Sequence, residues 1–322
     1  MRPTRSPFGE TKIQNMRKRK GVEPNVRQVS NMDPRCSRTH RSSKTFPNFR
    51  EFHSQFPYLS ESDQFLYFEM MFSRKSPSPP VPLSSLERWP QTFPTLKHSG
   101  IYTKGKGRIQ GVFSSLERTI PVDPVLNQKI ILWNGDITRL AEIDSIVNAA
   151  NNGLWPGGGV CGSIHDAAGR RLFEACKEIL KKRSLVDLKD GEVVLTSGFD
   201  LDAKYVLHAV GPQGVQPLIL RMTYRNCLQL CKENRLRSVA FCCISTGIFG
   251  YPGKKAAVVA LDSVREWLEE RPENAAAIDS IVFCTFLAED QETYRLLTPI
   301  FFPVSGASLF PNEEESKEST SL

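Results

Sequence analysis

The stretch NNGLWPGGGVCGSIHDAAG at residues 151–169 decides the fold, because it places three successive glycines just before a helical pattern. Glycine loses more conformational freedom on folding than any other residue, so such a run indicates a tight turn or a close approach to a ligand. A loop that enters a helix also presents backbone N–H groups at the positive end of the helix dipole. The stretch is therefore a candidate anion-binding loop, and the alternative is that its glycines only form tight turns.

A second stretch of the same kind, STGIFGYPGKK at residues 245–255, also leaves an apolar strand and enters a helix. In a parallel sheet, the carboxyl ends of the strands and the amino ends of the helices share one crevice, where ligands bind. Two such loops predict a diphosphate that is held from both sides, chiefly by backbone amides. Residues 157–162 satisfy GxGxxG, but residues 151–156 separate them from the strand and no clear second-strand acid follows about 20 residues on, so we reject a dinucleotide fingerprint. The second loop lacks the spacing of a Walker motif.

After residue 127, short apolar segments alternate with amphipathic stretches. The apolar segments lack a polar alternation, which is typical of parallel strands that are covered on both faces. We predict strands at residues 129–133, 144–150, 191–199, 203–212, 238–246 and 280–287, and helices at residues 162–180, 218–236 and 254–270. The predicted fold class is α/β, with three α/β/α layers and a mostly parallel central sheet over residues 127–303.

The charge is distributed unevenly along the chain. Residues 1–50 hold 13 Lys and Arg against 3 acidic residues, which leaves 29 against 32 for the rest. The net charge of +7 therefore belongs to a basic arm, which we predict to be disordered. Residues 51–126 are predicted to be a partly helical extension and connector, with one helix within residues 46–74. Residues 304–322 are predicted to be an acidic, disordered tail.

The composition also bears on cofactors and compartment. The eight cysteines include no CxxC pair and no His/Cys spacing suited to zinc, so we expect buried reduced thiols, no metal and no cofactor. No apolar run reaches the roughly 18 residues that span a bilayer, so no membrane partner is expected. The start of the chain lacks a signal-peptide core, which indicates an intracellular protein of the nucleus, the cytoplasm or, given the Arg-rich arm, the mitochondrion. We expect a monomer.

Three segments in order resemble the macrodomain family, in particular its MacroD-type ADP-ribosyl hydrolases. They are NGDITRLAEIDSIVNAANNGLWPGGGVCGSIHDAAG at residues 134–169, YVLHAVGP at residues 205–212 and CISTGIFGYP at residues 243–252. The resemblance covers about residues 128–303 and implies that ADP-ribose binds in the crevice described above. MacroD-type enzymes remove mono-ADP-ribose from acidic side chains and cleave O-acetyl-ADP-ribose. The implied partners are therefore ADP-ribose, ADP-ribosylated proteins and O-acetyl-ADP-ribose.

The resemblance also implies which residues bind the ligand. Asp136 would accept a hydrogen bond from the adenine amino group, and Ile137 would lend its backbone amide. Asn151 would contact the distal ribose, and Asn148 would satisfy the backbone of the loop. Backbone groups of the two loops would wrap the diphosphate and the distal ribose, and these groups belong to Gly157, Gly158, Gly159, Val160, Ser245, Thr246, Gly247, Ile248 and Phe249.

Several of these assignments have a plainer alternative. Asp136 would also serve as the cap of the following turn, because Asp is a preferred capping residue. Phe286, near the end of the last strand, would pack on the adenine face or else be an ordinary core phenylalanine. His165 is expected on the first turns of the helix, facing the loop, with a supporting role in catalysis.

Cys161 is the departure that matters most, because the MacroD-type pattern has an aspartate at this position to orient or activate the attacking water. An unperturbed thiol is mostly neutral at pH 7 and is a poor proton acceptor. Cys161 would be a passive residue in a module that only binds, a substitution in a weakened hydrolase, or a reactive thiol at a helix amino terminus. Asp166 would not replace the carboxylate, because neighbouring helical side chains lie about 100° apart.

Two functions therefore stay open at this stage. The first is an enzyme that hydrolyses, without a metal, the ester between ADP-ribose and an acidic side chain or acetate. The second is a reader that recognises the same ligand without turnover. We favour the enzyme slightly, and nucleic-acid binding through the basic arm is the least favoured alternative.

Overall fold

The computed structural model describes residues 79–98 and 119–305. The predicted basic arm, the helix within residues 46–74 and nearly all of the acidic tail lie outside these residues. The strands are β1 (Val81–Pro82), β2 (Ile130–Asn134), β3 (Leu140–Ala141), β4 (Ser145–Ala150), β5 (Val193–Ser197), β6 (Tyr205–Val210), β7 (Ser238–Phe241) and β8 (Ser280–Thr285). The helices are α1 (Trp89–His98), α2 (Pro124–Asn127), α3 (Val160–Ala168), α4 (Arg170–Arg183), α5 (Pro217–Glu233), α6 (Gly253–Glu270), α7 (Pro272–Ala277) and α8 (Ala288–Phe301).

Six strands form the central sheet, in the order β2-β8-β7-β4-β6-β5. All neighbours are parallel except β5, which runs antiparallel to β6. Helices α5, α6 and α8 pack beside one another, whereas α3 and α4 contact β4 and β5. This is the mostly parallel α/β/α arrangement that the sequence predicted.

The central strands show why the sequence reads as it does. In β4, the consecutive residues Ile146, Val147 and Asn148 are all 0% exposed, although their side chains point to alternate faces. A strand that is covered on both faces must be apolar without alternation. Asn148 is the exception, and it needs partners inside the protein.

Two predicted elements had wrong boundaries, and one helix was missed. The helix predicted at residues 162–180 is two helices, because Gly169 separates α3 from α4 with a φ of +75°. Strand β7 ends at Phe241 rather than at residue 246, so residues 242–246 belong to a loop. Helix α8 was not predicted at all, although Tyr294, Ile300 and Phe301 bury its inner face.

Residues 89–98, within the predicted connector, form a helix that contacts the domain. Trp89 and Phe93 of α1 are 0% and 3% exposed and belong to the main hydrophobic core. The indole Nε1 of Trp89 donates a hydrogen bond to the carbonyl of Phe302, at 2.8 Å. Helix α1 therefore packs against the end of the domain that follows it.

In residues 79–98 and 119–305, no helix combines the length and the apolarity that crossing a bilayer requires.

Candidate functional site

Two loops meet at the carboxyl edge of the sheet. Residues 151–159 join β4 to α3, residues 242–252 join β7 to α6, and β4 and β7 are neighbours in the sheet. A Cβ atom placed on Gly158 would lie 3.4 Å from Cδ1 of Ile248, so the two loops approach each other from opposite sides. The structure thus brings together the two glycine loops as the sequence predicted.

The first loop enters α3 through a backbone shape that favours glycine. Gly159, the residue before the helix, has a φ of +60°, and both Gly158 and Gly159 are exposed. A side chain is strained in this region, and Cβ atoms at these positions would stand between the backbone and a ligand. The loop can therefore offer the amino end of α3 directly to an anion.

The second loop holds Ser245 in a strained conformation. Its φ is +66°, and its buried Oγ has no hydrogen-bond partner among the described residues. The Ser245 carbonyl accepts from the backbone N–H of Tyr251 at 3.0 Å, which closes the loop. A positive φ at a non-glycine residue and an unpaired polar atom both cost free energy, and such features gather at functional sites.

The rest of the second loop is open to solvent. Gly247 is exposed, a Cβ atom there would meet nothing within 4 Å, and Ile248 is 87% exposed. Thr246 and Phe249 are half-buried, and the Phe249 carbonyl accepts from the N–H of Gly214 at 2.7 Å. The loop after β6 therefore supports this loop from behind.

Asp136 caps the turn that follows β2. Its Oδ1 accepts from the Thr138 N–H at 3.0 Å and from the Thr138 hydroxyl at 2.7 Å. Ile137, the first residue of this turn, is buried. The capping role is thus real, and because Oδ2 carries neither bond, a contact of Asp136 with adenine stays a prediction.

Phe286 is not a core residue. It lies one position beyond β8, and its side chain is 76% exposed. The side-chain amide of Asn134 donates to its carbonyl at 3.4 Å, so the backbone is anchored while the ring stands free of the core. Its exposure excludes the core alternative, and packing of the ring on adenine stays a prediction.

Asn151 is bound to the turn that it starts. Its Nδ2 donates to the Trp155 carbonyl at 2.7 Å, and its Oδ1 accepts from the Trp155 N–H at 3.2 Å. A primary amide keeps a second N–H and a second lone pair, so both atoms can still bind a ligand. The Cys161 thiol also points at the Trp155 carbonyl, with Sγ 3.7 Å away.

Cys161 is 5% exposed at the start of α3. Burial raises the pKa of its thiol, and the opposing effect of N–H donors from Gly157, Asn148 and Asn151 is smaller. A reactive thiol requires the opposite shift. The environment therefore argues against the reactive-thiol alternative and leaves the passive residue and the weakened hydrolase.

Asn148 lies beneath the crevice, not against the loop backbone. Its Nδ2 is 3.1 Å from Nδ1 of His208 and 3.6 Å from Sγ of Cys161. In the sheet register Asn148 stands directly beside His208, so the two side chains share one face. The expectation that Asn148 satisfies the loop backbone was wrong, because the alternation along β4 turns it under α3 instead.

His165 does not face the loop, which corrects the expectation for it. It is 3% exposed, and its ring centre lies 6.1 Å from that of His208. Burial lowers the pKa of His165 to about 4. Burial and, second, the nearby His165 lower the pKa of His208 to about 3. Both imidazoles are therefore neutral at pH 7, and neither is placed to act on a ligand in the crevice.

Sequence reasoning missed the polar layer under the crevice. It consists of His208 with Thr196, whose Oγ1 is 3.0 Å from His208 Nε2, and Cys176, whose Sγ is 3.7 Å from the same nitrogen. The one sequence feature that could have indicated this layer is His208, a polar residue in an otherwise apolar strand. Its partners lie on other elements and could not be read from spacing.

A cleft of about 610 Å³ opens elsewhere, at the amino edge of the sheet. It is lined by Arg88, Lys129 and Asp279, among others. Arg88 donates to the carbonyls of Gln128 and Asp279, and Lys129 donates to the carbonyl of Ile278. These cations already have carbonyl partners, so we place the candidate site at the glycine loops.

Comparison with known proteins identifies the family. The model of the macro domain family matches residues 147–260. A macro domain-containing protein of Ralstonia nicotianae is 44% identical over 177 residues, which cover 53% of this chain and 95% of that protein. The chain therefore belongs to the macro domain family.

Two further relatives are informative. The mouse protein named ADP-ribose glycohydrolase MACROD1 is 48% identical over 189 residues, or 57% of this chain and 55% of the relative. The chain thus matches about half the length of that relative. The crystal structure of a Trypanosoma brucei macrodomain in complex with ADP is similar with a TM-score of 0.52 and 30% identity, over 78% of this chain and 96% of that chain.

Proposed function

We propose that this chain binds ADP-ribose between its two glycine loops and hydrolyses the ester bond that joins ADP-ribose to an acidic side chain or to acetate. The observation that carries the proposal is the meeting of the loops at Gly158 and Ile248, with the unpaired Ser245 Oγ beneath them. A diphosphate between them would receive backbone N–H groups from both sides. The names of the mouse relative and of the trypanosomal complex support the same ligand class.

The ligand is oriented by groups at the two ends of the crevice. Asp136 and the Ile137 amide read the adenine, and the exposed Phe286 ring packs on its face. Asn151 uses its second N–H on the distal ribose. Gly157 to Val160 and Ser245 to Phe249 enclose the phosphates between these ends.

The chemical step asks little of the protein. For ADP-ribose on an acidic side chain, water attacks the ribose carbon that bears the ester oxygen, that C–O bond breaks, and the carboxylate, with a pKa near 4, leaves without a general acid. For acetate on a ribose hydroxyl, water attacks the acyl carbon, and the leaving ribose oxygen takes up the proton that the water loses. Water must then be positioned, and a general base would add about 10²–10⁴-fold in rate. Cys161 is neutral and buried, so the substrate's own diphosphate must help to hold the water, and turnover is slower than with a carboxylate there.

Cys161 is also the observation that favours a second function, a reader of ADP-ribosylated protein. A buried thiol that points at the Trp155 carbonyl leaves the pocket intact but removes the base. The reader and the enzyme share every binding contact and differ only in turnover.

The test compares release of ADP-ribose from a glutamate-modified protein and from O-acetyl-ADP-ribose. We expect slow release by the wild type, at least tenfold slower release by Asn151→Ala, and faster release by Cys161→Asp. Ala167→Asp is the matched control, because it adds a carboxylate at an exposed position near the opposite end of the same helix, away from the glycine loops. It should leave the rate unchanged.

Calorimetry with ADP-ribose on the same proteins separates the outcomes. A wild type that binds ADP-ribose and releases nothing is a reader. A wild type that gives no binding heat at all contradicts both functions.

A further inference from the structure

A cluster of metal-ligating side chains lies below the floor of the crevice. His165 of α3, Cys176 of α4 and His208 of β6 each present one ligand atom, and these atoms all lie within 4.8 Å of one another. The three residues are 3%, 0% and 0% exposed. We call them the His–Cys–His cluster. Nothing in the proposed function uses it.

The cluster contains unpaired polar atoms. Nδ1 and Nε2 of His165 are both buried, and neither has a hydrogen-bond partner among the described residues. A neutral imidazole has one donor and one acceptor, and each of them destabilises the fold when it is buried without a partner. Asn148 Oδ1, beside His208, is buried and unpaired within the same described part of the chain. A ligand that satisfies these atoms would therefore stabilise the fold.

The donor set fits one class of ligand. Two imidazoles and a thiolate are soft to intermediate ligands, which suit Zn²⁺. Tetrahedral zinc bonds of about 2.0–2.3 Å place ligand atoms roughly 3.3–3.6 Å apart. The distance from Cys176 Sγ to His208 Nε2 is 3.7 Å, close to that range. Small side-chain movements would close the remaining distances.

The surrounding residues suit a bound His208. Zinc-binding histidines usually give their second N–H to a protein acceptor. With Nε2 on the ion, Nδ1 of His208 carries the proton, and Asn148 is 3.1 Å away. A turn of the Asn148 amide presents the unpaired Oδ1 to that proton, since the two ends of an amide are assigned, not observed.

We propose that the His–Cys–His cluster binds one Zn²⁺ ion, with Thr196 Oγ1 or a water molecule as the fourth ligand. On binding, the Cys176 S–H bond breaks, the sulfur–zinc bond forms and the proton passes to solvent. The ion ties α3, α4 and β6 together directly beneath Cys161. It fixes the floor of the crevice and takes no part in the proposed hydrolysis.

The experiment measures zinc in the purified full-length chain and then titrates the metal-free protein with Co²⁺ as a spectroscopic probe. All proteins carry Cys36→Ala, so that the thiol of Cys36, which lies outside the described residues, cannot bind cobalt and add to the absorption band. Cys176→Ala removes the thiolate. Cys231→Ala is the matched control, because Cys231 is as deeply buried on α5 and contacts Ser145 instead.

We expect close to one zinc per chain, and a thiolate-to-cobalt absorption band that saturates at one equivalent. Cys176→Ala should lose the band and at least 100-fold in affinity, while Cys231→Ala keeps both. His165→Gln, which keeps a polar side chain, should weaken binding at least tenfold.

Less than 0.1 zinc per chain after exposure to zinc overturns the proposal without any variant. An unchanged cobalt band in Cys176→Ala also overturns it, provided that near-ultraviolet circular dichroism shows a folded protein. ADP-ribose binding is measured in parallel, so a failure of the zinc site is distinguished from a failure of the proposed function.

Discussion

At the amino ends of the strands, charged side chains bond to one another and to the backbone, whereas at the carboxyl ends the two loops expose Gly158, Gly159 and Gly247 and leave the Ser245 hydroxyl without a hydrogen-bond partner among the described residues. Asp144 accepts from Lys204 Nζ at 2.7 Å and from the N–H groups of Arg237 and Ser238 at 2.8 and 3.1 Å. Arg237 also forms a two-point ion pair with Asp279. The same sheet therefore has an amino edge rich in charged hydrogen bonds and a carboxyl edge that is open to solvent.

The difference shows how the fold separates stability from binding. The Ser245 hydroxyl, which is unpaired among the described residues, and the exposed apolar side chains of Ile248 and Phe286 lie at the carboxyl edge. Each of them costs stability, and a ligand would relieve it. The bonds at the amino edge and the buried core compensate for that cost. Substitutions at the two edges should therefore have separable effects.

The largest expected effect is at the amino edge. Asp144→Ala leaves the N–H groups of Arg237 and Ser238 without their acceptor, and the free energy of unfolding should fall by roughly 2 kcal/mol at pH 7. Affinity for ADP-ribose should not change. Urea unfolding and calorimetry measure the two quantities, and a loss of affinity in the folded variant would contradict the separation.

The Asp144 effect should also depend on pH. Burial raises the pKa of Asp144, but the bonds from Lys204, Arg237 and Ser238 outweigh it, so the net pKa is lowered from 3.8. A lowered pKa stabilises the fold above pH 3.8, and this contribution is lost as the pH falls below that value. The difference between wild type and Asp144→Ala should therefore shrink below pH 4, and a constant difference would be inconsistent with an ionised Asp144.

The second effect is at the carboxyl edge. Gly247→Ala adds a methyl group where nothing lies within 4 Å, so the free energy of unfolding should change by less than about 0.5 kcal/mol. The methyl group would occupy space that we assign to a phosphate, so affinity for ADP-ribose should fall about tenfold, or about 1.4 kcal/mol. Wild-type affinity in this variant would show that the ligand does not approach Gly247.

The smallest effect is expected at an exposed ion pair, which serves as the control for the other two substitutions. Asp200 pairs with Arg171 at 2.5 Å, and both side chains are more than half exposed. Exposed pairs contribute about 0–1 kcal/mol. Asp200→Asn should change neither stability by more than about 0.5 kcal/mol nor affinity for ADP-ribose. A large change in either would mean that the assay reports general damage.

Local pattern predicted much of this molecule. The uninterrupted apolar runs predicted the parallel strands, and the glycine runs predicted the two loops, because both depend on residues that are close in sequence. Helix α8 was missed because Pro299 lies inside it and its apolar face becomes apparent only against β2 and β8. The sequence analysis placed Gly169 inside one long helix. The structure favours glycine at this position, because a Cβ atom on residue 169 would lie 2.6 Å from Oδ2 of Asp200, which is distant in sequence.

For the candidate site, too, the sequence predicted some features and missed others. Sequence and resemblance placed the loop residues, and the exposure of Phe286 answered a question that the sequence left open. Burial argues against a reactive thiol at Cys161. A helix amino terminus lowers the pKa of a thiol and an apolar interior raises it, so the sequence alone could not give the direction. His165 was misjudged because its helix turns it toward His208 and away from the loop.

By itself, the sequence determined that this is a mostly parallel α/β domain with two glycine-rich loops, because periodicity and glycine content act over a few residues. Only the tertiary structure decided which polar side chains meet in the buried layer beneath those loops. His165, Cys176 and His208 come from three elements that packing alone brings within 4.8 Å, and no spacing along the chain encodes that distance.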